Sequence, residues 1–142
     1  MKKRSPGKIR SCEPICVECG DRGKMVSGAV AYPNRPERRG EIFFRCDCGA
    51  IVSCHPGTGI PAGRPASAAT RGLRYEAHRL LDAMWGAGRR TPLAAGHARK
   101  RAYKWLARQL GIRPEDCHFG FMDAAELRRA IDICRQAQGR AA

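Results

Sequence analysis

Two cysteine pairs carry the most specific chemistry in the chain. Cys16-Val17-Glu18-Cys19 offers two thiolates separated by two residues, and Cys46-Asp47-Cys48 offers a second pair, each followed directly by a glycine, Gly20 and Gly49. Four thiolates brought together on two turns can close a tetrahedron of sulfur around Zn²⁺. Cys16, Cys19, Cys46 and Cys48 are therefore the expected ligands of one structural zinc per chain. The glycines fit tight knuckles, because the residue after such a pair often needs a positive φ that glycine adopts cheaply. The second pair is C-x-C, so its turn must be tighter, and Cys12, Cys54 or His55 could replace one ligand.

A second group is suited to binding. Between Gly86 and Arg113 the charged residues are Arg89, Arg90, Arg99, Lys100, Arg101, Lys104, Arg108 and Arg113, with no acid among them. Guanidinium groups pair bidentately with phosphate, so Arg99, Lys100, Arg101, Lys104, Arg108, Arg89 and Arg90 are candidate nucleic-acid contacts. The net charge of +14 agrees in sign with a polyanionic partner, DNA or RNA. Arginine codons of a GC-rich genome are the plainer source of that charge. Tyr103, Tyr32 and Phe43 could stack on exposed bases, although aromatics on small sheets are more often core. A protein-docking role, with a rigid ribbon presented to a partner protein, is the alternative.

A third group is sparse. His78 and Asp82 are four residues apart on an expected helix, and His55 lies upstream beside Cys54. These three could form a second site, a metal-dependent nuclease centre in its sharpest version. The plainer alternative is that Asp82 fixes His78 by a hydrogen bond while Trp85 packs between the helices and the ribbon. No residue is assigned as catalytic. No small-molecule site is evident either, since Gly57, Gly59 and Gly63 lack the lysine and hydroxyl residue that complete a phosphate loop.

The elements that must position these groups divide the chain. Residues 1–11 read as a basic flexible arm, 12–55 as the zinc ribbon, 56–66 as a Gly/Pro-rich connector, and 67–142 as a helical region packed on the ribbon. Within the ribbon, Lys24 to Tyr32 is the expected outgoing strand, weakened by Gly28. Glu41 to Arg45 is the return strand, with Ile42 and Phe44 alternating against Phe43 and Arg45, and Ala50 to Val52 is a third. The helices are expected over Ala68 to Trp85, from about Gly96 to Leu110, and from Asp123, where Glu126 completes a capping box. The class is α+β: a small antiparallel zinc ribbon followed by roughly three helices.

No apolar run approaches a membrane span, and no apolar segment follows the basic N-terminus. A cytoplasmic protein in a reducing compartment is expected, with Cys117 and Cys134 as small buried hydrophobes.

The chain resembles the zinc-finger-containing domain family of unknown function found in bacteria and their phages. The likeness runs from Cys16 to Ile133. It rests on the two cysteine pairs, on the run from Cys46 through Cys54-His55-Pro56-Gly57-Thr58, on Arg74-Tyr75-Glu76-Ala77-His78-Arg79-Leu80-Leu81-Asp82-Ala83-Met84-Trp85, on Arg101 to Ala107 and on His118 to Asp123. The first half is also similar to the zinc ribbons at the end of bacterial type I topoisomerases, which contact single-stranded DNA. The first resemblance implies the fold and the metal, and a phage or mobile-element accessory protein; it implies no activity.

Overall fold

The computed structural model describes residues 13–85 and 91–141. The basic arm, Cys12, Arg89 and Arg90 lie outside the described residues. The chain divides into two compact units, Met1–Ser67 and Ala68–Ala142.

In the first unit, β1 (Lys24–Ser27), β2 (Ile42–Arg45) and β3 (Ile51–Ser53) form an antiparallel sheet in the order β1-β2-β3. Met25 sits opposite Phe44, and Phe44 opposite Val52. β1 is shorter than its sequence suggested. At Gly28 the chain turns into a four-residue helical turn, Gly28–Ala31, and the reason is steric. A Cβ on Gly28 would lie 1.6 Å from the Arg38 carbonyl oxygen, so no side chain fits where these two backbone segments cross.

The alternation expected along β2 also gives way. Phe43 and Phe44 are both buried while Ile42 is exposed, because both faces of this central strand are covered. Phe43 meets the edge of Tyr32 at 5.2 Å and lies under the Arg38 guanidinium. Phe44 lies beside Gly23, whose own neighbour is the Pro65 ring. Residues 56–66 run back along β3: Ile51 and Ala66 exchange both backbone hydrogen bonds, and Ala62 N–H donates to the Ser53 carbonyl.

The second unit is built from α1 (Ala68–Trp85), α2 (Pro92–Leu110) and α3 (Ala124–Ala141). α1 packs chiefly on α3, and α2 contacts both. The apolar stripes read from sequence form the core: Ala77, Leu80 and Leu81 from α1, Ala98, Ala102, Leu106 and Leu110 from α2, and Leu127, Ala130, Ile131 and Cys134 from α3. Cys117 and Cys134 are buried among them, and burial pushes both thiols up to about 11.

α2 starts four residues earlier than its periodicity suggested. Thr91 caps it, accepting a hydrogen bond from Ala94 N–H at 3.1 Å, and Pro92 occupies the first helical position, where a missing N–H costs nothing. Gly111 closes the helix in the left-handed conformation. At the start of α3 the capping box is present in both directions. Glu126 N–H donates to Asp123 Oδ1 at 2.9 Å, and Asp123 N–H donates to Glu126 Oε1 at 3.3 Å. Arg74 is buried on the inner side of α1, donating to the Met122 carbonyl at 3.3 Å, a placement that apolar periodicity does not signal. Among the described residues no helix is long and apolar enough to cross a membrane.

Candidate functional site

The four cysteines converge. Their Sγ atoms all lie within 4.8 Å of one another, with Cys16–Cys48 at 3.7 Å and Cys19–Cys46 at 3.2 Å. A tetrahedron with Zn–S bonds of about 2.3 Å has an edge of about 3.8 Å, so the sulfur cage has the size of a zinc site. Each knuckle is set by backbone bonds. In the first, Gly20 N–H reaches the Cys16 carbonyl and Glu18 N–H points at Cys16 Sγ at 3.3 Å. In the second, Gly49 N–H reaches the Cys46 carbonyl at 2.9 Å, a turn one residue shorter, which is how C-x-C matches C-x-x-C. Gly20 and Gly49 have φ of 79° and 96°, the left-handed region.

Cys16 and Cys46 are buried, and Cys19 and Cys48 are exposed. With no open protein position required, four thiolates suit a closed structural ion that stabilises the fold. Among the described residues this is the one group of three or more such side chains that converges on a common point. Cys54 and His55 stand apart from it at the end of β3. His55 N–H donates to the Ile60 carbonyl, the half-buried Cys54 thiol is pushed up by burial, and both residues line a cavity of about 300 Å³ with Glu41, Phe43 and Thr58.

The family model for the zinc-finger-containing domain matches residues 12–137. The chain belongs to that family. No curated protein and no solved structure matches it. In this zinc-finger domain the ribbon holds a four-cysteine cluster, the single one among the described residues, consistent with one structural zinc, and the function of the family is unknown.

The five lysines and arginines on α2 of the zinc-finger domain separate into two sets. With 3.6 residues per turn, Lys100, Arg101, Lys104 and Arg108 fall within an arc of about 100° on α2, and Arg99 lies about 150° from its middle. All four of the first set are exposed, and none makes an ion pair among the described residues. His97, exposed and three and four residues before Lys100 and Arg101, lies on the same stripe. Its spacing was legible in the sequence, but a search for lysines and arginines passes over it. Arg99 instead lines a cavity of about 220 Å³ with Asp82, Trp85, Ala95 and Ala102.

His78 belongs to this second neighbourhood. Its Nδ1 lies 3.3 Å from the Tyr103 hydroxyl, and its ring meets Phe119 edge-on at 4.8 Å. The hydrogen bond expected from Asp82 is made by Tyr103, and Asp82 acts on the ring through its charge alone. Burial holds the His78 pKa below its ordinary value, with Asp82 opposing and Arg99 reinforcing that shift. Burial pushes Tyr103 up to about 12. Two stacking candidates are thereby corrected: Phe43 is core, and Tyr32 has the Arg38 guanidinium 4.4 Å from its ring centroid. Trp85 packs against Trp105 with ring centroids 6.3 Å apart, within the helical unit. His55 lies in the first unit, and His78 and Asp82 in the second.

Proposed function

We propose that this zinc-finger domain is a non-catalytic nucleic-acid-binding accessory protein, acting in a reducing cytoplasm and belonging to the phage and mobile-element repertoire. The observation that supports it is the stripe of Lys100, Arg101, Lys104 and Arg108, exposed and without acidic partners among the described residues. Other arginines of the chain are paired, as Arg38 is with Glu41 at 2.6 Å and Arg113 with Asp116 at 2.9 Å. On α2 the like charges of Lys100 and Lys104, and of Lys104 and Arg108, stand four residues apart. Each such pair costs a helix a few tenths of a kcal/mol in water, about 0.2–0.5 by measurements on model helices. A phosphate backbone laid along the stripe turns these repulsions into attractions and releases the counterions condensed on the nucleic acid. Contacts of this kind give affinity with little sequence selectivity.

Fluorescence anisotropy of a labelled DNA or RNA, titrated at several salt concentrations, tests this reading. Four phosphate contacts predict a slope of log affinity against log salt of about −3 to −4, and Lys100→Glu with Lys104→Glu should remove about half of it or more. Absence of binding at low salt, or an affinity indifferent to salt, would defeat it. A protein-docking role draws on a different observation: Met25 and Ile60 are 56% and 59% exposed on the ribbon. Association centred there would change little with salt.

A further inference from the structure

We propose that His97 is the proton-dependent member of the α2 stripe, so that the polyanion this helix takes is bound more tightly as the solution is acidified. The proposal rests on the phosphate-binding reading of α2 and adds its regulation. At about 100° per residue, His97 falls about 10° from the middle of the arc spanned by Lys100, Arg101, Lys104 and Arg108. It lengthens the stripe by three residues toward the start of the helix, from about 12 Å to about 16 Å.

The surroundings of the ring leave it to a ligand. The buried face of α2, made by Ala98, Ala102, Leu106 and Leu110, is centred about 170° away, so α1 and α3 pack on the side opposite His97. Asp82 of α1 lines the cavity on the Arg99 side. The turn Pro114–Asp116, which follows the far end of α2 past Gly111, brings Glu115 and Asp116, and Asp116 is paired with Arg113 at 2.9 Å. α2 itself contains no acid, so the charged groups facing His97 are those of its own stripe, Lys100, Arg101 and Lys104. His97 is exposed and makes no hydrogen bond, ion pair or ring contact among the described residues. His78 and His118 differ, since His78 meets Phe119 and His118 meets Tyr103 and Phe121.

An imidazole in that place changes what the stripe offers within an ordinary range of pH, around 6.5. Neutral, the ring adds no charge. Protonated, it presents N–H donors at Nδ1 and Nε2 and a fifth positive charge beside Lys100 and Arg101, three and four residues on. Phosphodiester oxygens accept such bonds and stay negative throughout this range. The bound strand therefore favours the proton, and the proton favours the strand by the same factor. Affinity rises as pH falls through this window and levels off once the ring is charged with or without the strand. One further phosphate contact is worth about eightfold at 0.1 M salt, because affinity scales with salt to a power of about −0.9 per contact.

The test is fluorescence anisotropy of the zinc-loaded full chain with a duplex DNA of about 20 base pairs and an RNA of the same sequence, each carrying a dye that does not titrate in this range. Between about pH 7.5 and about pH 5.5 the affinity of the parent should rise about fivefold, and its salt slope should steepen by up to about 0.9. His97→Gln should keep the neutral-pH affinity at both values. His97→Lys should bind at both as tightly as the acidified parent, and His118→Gln should respond as the parent does. Parent and variant meet the same pH, so their comparison cancels any change of fold or metal content that acid brings to both. A parent response that survives in His97→Gln, or binding that varies with salt and not with pH, would overturn the role of His97 and leave the phosphate-binding reading standing. Failure of the parent to bind DNA or RNA at either pH would overturn both.

Discussion

The two units of this chain are held by different physics. In the ribbon a few residues do most of the specifying: four thiolates, the two glycines behind them and the crossing at Gly28 surround a sheet whose longest strand has four residues. In the helical unit the same task is spread over interlocking stripes, with Leu81, Leu106, Phe119 and Leu127 at the centre and no metal-ligating cluster among the described residues. A module too small to bury enough apolar surface gains its folding free energy from the ion, and one with three long helices gains it from packing. The difference also separates roles. The ribbon's most distinctive chemistry is committed to holding its own fold, whereas α2 carries a stripe of cations that makes no ion pair among the described residues.

Substitutions in each unit should break this comparison in opposite ways. Cys46→Ser removes a buried ligand, and since structural zinc is worth about 10–16 kcal/mol in finger peptides, the ribbon should lose its cooperative fold while Trp85 and Trp105, both in the helical unit, report little change in their fluorescence. Leu127→Ala reverses the pattern. It opens a cavity at a fully buried position and should cost the helical unit about 2–5 kcal/mol, read from denaturant unfolding of the tryptophan signal, with zinc content unchanged. Gly28→Ala should cost the ribbon about 3 kcal/mol or more, because the Arg38 carbonyl in its way is backbone and cannot turn aside, measured as weakened zinc retention in competition with a chelator.

The smallest effect is a pH dependence confined to the helices. Burial holds the His78 pKa below its ordinary value, so the unfolded chain takes up the proton more readily than the folded one. The stability His78 contributes is complete above its unfolded pKa of about 6.5 and is lost as pH falls through the folded value. Thermal unfolding followed by tryptophan fluorescence should show a midpoint that drops on acidification, and His78→Gln should flatten that drop.

How much of this was legible in the sequence follows the same division. The four cysteines that converge and the glycines behind them were the first reading of the sequence, because their chemistry and spacing act locally, but spacing alone left Cys12, Cys54 and His55 open as a replacement for one of them. The limits of α1 and the capping box of α3 were equally plain, since caps and periodicity act within a few residues. What escaped depended on neighbours distant in sequence. β2 buries two consecutive phenylalanines because separate segments cover its two faces, and β1 ends where Gly28 meets Arg38. Arg74 lies inside because the Met122 carbonyl is there to receive it. On α2 the run of cations was visible, but only the helix geometry separates Arg99, turned toward the Asp82 cavity, from the stripe of Lys100, Arg101, Lys104 and Arg108. That Phe121 is half exposed while Phe119 is buried had no signal in the sequence at all.

The most direct test of the division of labour is hydrogen exchange, resolved by residue, on the full chain before and after complete removal of zinc. Amides of residues 13–67 should lose their protection while those of the cores of α1, α2 and α3 retain it. Loss of protection throughout the chain, or an unchanged ribbon without its metal, would contradict the account.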